Sequence, residues 1–112
     1  MISEKQIEEI IKQEKKHFKK YAKEADYVSG CCMLVRRKVF QSIGLFDERF
    51  FFYFEDVDFC LRAKKSGFKI GIQPQAVINH KLSSAIGRWS NRAIYYNLKA
   101  NLQLVNKHFG VR

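Results

Sequence analysis

One run constrains this chain more than any other: residues 27–35, YVSGCCMLV, nearly all apolar and free of charge. A segment of that character reads as a strand covered on both faces. Such a strand sits inside a sheet and needs neighbours. The remaining sequence offers only two short candidates, residues 69–72 and 76–78, on either side of the single Pro74. Three strands make a thin sheet, so the pattern predicts a few-stranded α/β piece of a larger architecture.

Helices surround these strands. Ser3 with Gln6 reads as a capping box, and Ile7, Ile10, Ile11, Phe18, Tyr21 and Ala22 recur on one face of a helix over about 4–24. Its expected role is to cover a core or a sheet face. A membrane-surface role is less favoured, because Glu4, Glu8, Glu9 and Glu14 oppose anionic lipid. A short helix over 36–43 stops at Gly44, and an aromatic loop fills 45–54. A further helix over 55–66 carries acids in its first turn, Lys64 and Lys65 in its last, and Gly67 beyond. Residues 81–88 read as a loop. A closing helix over 92–108 aligns Ile94, Leu98, Leu102 and Val105, with Gly110 past its end. The division expected is an amphipathic helix at 1–25 and one α/β domain at 26–112.

A length of 112 residues allows one domain. Folding at this size hides roughly 65% of the unfolded chain's surface, enough for a modest core. A composition 46% hydrophobic and 14% aromatic excludes a disordered basic tail. The formal charge of +10 is unevenly placed: from Phe59 to Arg112 there is no Asp or Glu. A field of one sign attracts phosphate, whether in nucleotides, lipid diphosphates or anionic membranes. No nucleic-acid reading element accompanies the charge, so nucleic acid is not an expected partner.

No segment approaches the ~20 apolar residues that span a bilayer. The first residues, with their acids, do not read as a signal peptide. The expected location is cytoplasmic, with peripheral contact to the inner face of the membrane left open. Cys31, Cys32 and Cys60 form no CxxC pair and are expected as reduced, buried thiols; with His80 they match no zinc spacing.

An ordered set of features spans 29–80. It comprises Ser29-Gly30, Arg36-Arg37 with Val39-Phe40, Gly44 before Phe46-Asp47, FYFED at 52–56, Leu61-Arg62, Gly67, and a strand ending at His80. The set resembles the C-terminal, acceptor-side part of inverting family 2 glycosyltransferases of the rhamnosyl- and galactofuranosyltransferase type. It continues loosely through Tyr95, Asn97 and Asn101 to Phe109. The resemblance implies part of a GT-A type fold, a nucleotide-diphosphate sugar donor, and a glycan or lipid-linked acceptor.

Sugar transfer with inversion needs a carboxylate to take the acceptor hydroxyl's proton as its oxygen attacks the anomeric carbon. The resemblance puts that base at Asp56 and gives Glu55 a supporting, acceptor-binding role. It puts a histidine that helps hold Mn²⁺ or Mg²⁺ at His80. Tyr53 and Phe54 are placed to stack on a sugar, and Arg88 and Trp89 in a loop that closes over the donor. Each residue also has a plainer reading. First-turn acids suit the helix dipole at roughly 0.3–1 kcal/mol each. His80 can be a hydrogen-bonded strand-end histidine, the aromatics can be core, and Asp58 can be a surface or capping acid. Arg62 can pair with Asp58 one turn earlier or lie over a phosphate.

A family member also carries a preceding nucleotide-binding half with a DxD-type motif. The one D-x-D here, Asp56-Val57-Asp58, lies inside the ED motif. The expectation is therefore a split or truncated transferase part, inactive alone, that works with a partner chain supplying the nucleotide site. Standing alone, it is expected to be a homo-oligomer. The alternative is an inactive remnant acting as an oligomeric or basic binding module.

Overall fold

The computed structural model describes residues 1–21, 23–81 and 90–110. Arg88, Trp89 and the loop expected at 81–88, past Lys81, lie outside the described residues. Six elements follow one another: α1 (Glu4–Tyr21), β1 (Lys23–Glu24), α2 (Arg37–Ile43), α3 (Glu55–Lys65), β2 (Gly71–Ile72) and α4 (Asn91–Phe109).

The capping box that opens α1 forms as the sequence implies. Gln6 N–H donates to Ser3 Oγ at 3.3 Å, and Ser3 N–H donates back to Gln6 Oε1 at 2.9 Å. The apolar face does not cover a core, however: Ile7, Ile10 and Ile11 are all exposed. Phe18, Tyr21 and Ala22, expected on that face, lie outside the described side chains.

The strand expected over 27–35 does not form. Among the described residues the sheet is a two-stranded antiparallel ladder, with Lys23 opposite Ile72 and Glu24 opposite Gly71. Ala25 N–H extends it to Ile70 O at 2.9 Å. A strand needs at least one hydrogen-bonded neighbour, and β1–β2 supplies none for 27–35. That segment instead runs as turn and extended chain beside α3, with Cys31 and Cys32 exposed and Leu34 98% exposed. The expected buried thiols reduce to Cys60, whose Sγ lies 3.8 Å from Val28 O. Residues 76–78 also form no strand; Pro74 sits in a turn closed by Ala76 N–H on Gln73 O at 3.2 Å.

Helix α3 anchors the molecule. Its C-terminus is a Schellman motif: Gly67, at φ +87°, donates to Lys64 O at 3.0 Å, and Phe68 N–H to Ala63 O at 3.0 Å. Phe68 then folds back on the small core of Val39, Phe59 and Ala63, joined by Met33, Val35, Phe40 and Ile43. Phe46 stacks on Phe59 with ring centroids 4.6 Å apart, and Phe40 lies 5.2 Å from Phe59. Gly44 ends α2 at φ +82°, a backbone that a Cβ would strain.

Helix α4 begins on Ser90, whose Oγ accepts from Ala93 N–H at 3.1 Å, and ends on Gly110 at φ +59°. Its inward side carries Ala93 and Ala100, both buried, and Tyr96. Tyr96 packs on the aromatic loop, 5.1 Å from Phe51 and 6.0 Å from Phe52 between centroids. The radius of gyration is 16.7 Å, against roughly 13 Å for a compact domain of this length. Several apolar faces are therefore uncovered.

Candidate functional site

The aromatic loop turns sharply into α3. Tyr53 and Phe54 both take left-handed backbone, at φ 65° and 64°. Two consecutive non-glycine residues in that region cost on the order of 1–3 kcal/mol each, and such strain clusters at functional sites. The turn leaves Phe54 as the N-cap of α3 without a side-chain cap, and Glu55 and Asp56 fill the first turn.

Asp56 is held from two sides. Its Oδ2 accepts from Gly30 N–H at 2.9 Å, and its Oδ1 from Val57 N–H at 2.8 Å. The carboxylate thus fastens the 28–30 segment to the start of α3, a contact no ladder provides. A Cβ built on Gly30 would meet Asp56 Cβ at 3.5 Å and Oδ2 at 3.7 Å, ordinary packing distances. Glycine lets the backbone approach without being required by a clash.

Glu55 is the neighbouring carboxyl. Its Oε2 is buried without a hydrogen-bond partner among the described residues. Burial pushes the carboxyl above its ordinary range, and the adjacent Asp56 charge pushes the same way, against a local backbone hydrogen bond. Such an oxygen has an unused acceptor site beside Asp56.

Behind this pair lies an ionic cluster. Asp58 is fully buried, not a surface acid. Arg62 Nε donates to its Oδ2 at 3.0 Å, while Lys107 Nζ and His108 Nε2 stand 2.8 and 2.7 Å from its Oδ1. Lys65 Nζ lies 3.1 Å from His108 Nδ1. An ammonium can only donate, so Nδ1 accepts and Nε2–H points at Asp58. Burial raises the Asp58 carboxyl, but the Lys107 and His108 hydrogen bonds and the Arg62 charge outweigh it, and the net shift is downward.

Arg62 resolves its two readings in favour of Asp58. Its remaining nitrogens donate to Ile43 O and Leu45 O, each at 2.8 Å, so the guanidinium ties α3 to the end of α2. Lys107 also bridges to Asp47 at 2.8 Å. Hydrogen bonds from Arg49 and then Lys107 hold the Asp47 carboxyl well below the usual range.

The predicted residues are brought together only in part. Tyr53, Phe54, Glu55 and Asp56 share one turn. His80 is exposed at the end of a stretch that forms no strand, and no described contact joins it to Asp56. Its placement required a strand over 76–78, which lacks a partner. Among the described residues no three His, Cys, Asp or Glu side chains could hold a metal ion. Arg88 and Trp89 lie outside the described residues. Sequence reasoning missed the Gly30–Asp56 contact, the buried Glu55 oxygen and the Asp58 cluster. The Asp58-to-Arg62 spacing is the one signal the sequence carries, and it is compatible with either an ion pair or a phosphate contact.

The model of the family described as glycosyltransferase like family 2 matches residues 7–97. The chain belongs to this family. Over 62 residues it is 44% identical to the N-acetylglucosaminyl-diphospho-decaprenol L-rhamnosyltransferase of Mycobacterium tuberculosis, covering 55% of this chain and 20% of that protein. It is 41% identical over 49 residues to a low-salt glycan biosynthesis hexosyltransferase of Haloferax volcanii, covering 44% and 16%. It is 31% identical over 91 residues to a rhamnosyltransferase of Escherichia coli, covering 75% and 34%. The chain thus spans about a third or less of these relatives' lengths. No solved structure matches. Membership implies a GT-A-like nucleotide-sugar transferase fold; the described residues show helices with one small antiparallel pair. The family generally uses a divalent metal. No described helix is long and apolar enough to cross a membrane.

Proposed function

We propose that this chain forms the acceptor-side part of an inverting glycosyltransferase of GT-A type, with Asp56 as general base and Glu55 as an acceptor ligand. The observation that carries the reading is the Asp56 carboxylate fixed by two backbone N–H groups beside the unpartnered, buried Glu55 oxygen. Held there, Asp56 keeps a constant direction while its remaining lone pairs stay free for a hydroxyl proton. As that proton moves to Asp56, the acceptor oxygen bonds to the anomeric carbon from the face opposite the leaving group. The bond from that carbon to the nucleoside diphosphate breaks, and the diphosphate leaves with the electron pair. Glu55 Oε2 is suited to accept a hydrogen bond from a second acceptor hydroxyl, satisfying a group that burial otherwise penalises. Tyr53 and Phe54 border the same turn and offer faces for a sugar ring.

The nucleotide-binding half is supplied outside these residues, and the acceptor class is a glycan or lipid-linked sugar, in keeping with the decaprenol-linked and glycan-building relatives. Calorimetry of the 112-residue chain with nucleoside-diphosphate sugars and Mg²⁺ or Mn²⁺ tests the division. Negligible affinity alone, with transfer gained once the complementary half is added, is the expected result. Tight metal-dependent binding by the chain alone would contradict it. A second reading, a remnant acting as an oligomeric or basic binding module, is favoured by the uncovered apolar faces. In that case Asp56→Asn changes nothing but local stability.

A further inference from the structure

Helix α4 is apolar on two opposite sides. Ala93 and Ala100 face inward and are buried. Ile94, Leu98 and Leu102 follow at four-residue spacing on the other side, 46%, 60% and 73% exposed, and Phe109 continues the stripe at 70%. Tyr95 joins it at 59% exposed. From Ile94 to Phe109 the stripe runs roughly 22 Å along the helix.

The charge around the stripe selects its partner. Arg92 and Lys99 are exposed beside it, and Lys99 Nζ sits 6.0 Å above the Tyr95 ring. The sequence from Phe59 onward contains no Asp or Glu, so no acid of α4 opposes an anionic surface. Helix α1 is the internal contrast. It also exposes Ile7, Ile10 and Ile11, yet Glu4, Glu8 and Glu9 stand on the same two turns. We infer that the outward face of α4 is a docking surface for an anionic lipid bilayer. Its apolar stripe enters the interface, while Arg92 and Lys99 reach headgroup phosphates along its edge. The face would hold the acceptor-side turn near a membrane without spanning it. The inference does not depend on the proposed chemistry, because docking can be read without sugar transfer.

Co-sedimentation of the full chain with vesicles tests it, using phosphatidylcholine alone and phosphatidylcholine mixed with phosphatidylglycerol. Binding is expected to the mixed vesicles, weakening as salt screens the charge. Leu98→Gln with Leu102→Gln is expected to reduce the bound fraction roughly ten-fold or more while leaving the helical circular dichroism unchanged. Ile7→Gln with Ile10→Gln is expected to leave binding intact, and Arg92→Gln with Lys99→Gln to remove the preference for the mixed vesicles. No binding, equal binding to both compositions, or undiminished binding by the Leu98/Leu102 variant would overturn the inference. So would a wild-type dimer that the same variant dissolves, with no vesicle binding, since the stripe would then cover a second copy.

Discussion

Asp58→Ala removes the carboxylate on which two helices, two cations and the His108 imidazole converge. Its side chain is 0% exposed, and those of His108, Arg62 and Lys107 are 4%, 19% and 25% exposed. Breaking one side of a buried ion pair costs about 3–5 kcal/mol, because the remaining charge is left in a poorly solvated place. Two partners soften the loss here: Arg62 keeps the carbonyls of Ile43 and Leu45, and Lys107 keeps Asp47. The lower end, about 3 kcal/mol, is therefore expected, a large share of the 5–15 kcal/mol of an ordinary domain. Urea unfolding followed by circular dichroism measures it, and a cycle with Lys107→Ala should give a coupling of about 0.5–3 kcal/mol. Hydrogen exchange should rise in the last turn of α4, where Lys107 and His108 lose their anchor. A loss below about 0.5 kcal/mol with an unchanged denaturant slope would refute the reasoning, because it is the size expected at an ordinary surface position.

Acid should act through the same groups. Asp47 and Asp58 have lowered carboxyls, so their stabilisation is complete above the unfolded carboxyl value of about 3.9 and is lost as pH falls through their folded values. Asp58→Asn should flatten that acid limb in a circular-dichroism titration. Glu55 carries the opposite sign: its raised carboxyl makes the fold lose stability as pH rises through the carboxyl range. Glu55→Gln should therefore raise the melting temperature at neutral pH while weakening acceptor binding. Gly30→Ala should fold with a change within about 0.5 kcal/mol, since the added Cβ meets Asp56 at packing distance. A loss of several kcal/mol in thermal melts would mean that the segment cannot hold its N–H on Asp56.

The helices were legible because their signals are local. Ser3-Gln6, Gly44, Gly67 and Gly110 act within one turn, and each marks a real boundary. Of the strands only 69–72 was legible, as β2 at Gly71–Ile72; 27–35 and 76–78 were not, because a strand's stability lies in its neighbours. Residues 27–35 have the composition of a central strand, yet nothing among the described residues pairs with them. The site divides the same way. The adjacency of Glu55 and Asp56 at a helix start follows from sequence order. The two left-handed residues before them carry no glycine or asparagine to announce the backbone. The burial of Asp58 depends on Lys107 and His108, about fifty residues away along the chain. His80 was placed by a strand expected over 76–78, and without the ladder that placement has no support.

The central claim is that Asp56 accepts the acceptor's proton. Its most direct test is the steady-state rate of sugar transfer by the chain combined with a complementary nucleotide-binding half, wild type against Asp56→Asn. Asparagine keeps an acceptor oxygen for Gly30 N–H but cannot take a proton at neutral pH. The account predicts a fall in kcat of roughly 10²–10⁴-fold, with donor KM little changed and native circular dichroism. A variant that keeps kcat within about ten-fold of wild type would place the base elsewhere and contradict the account.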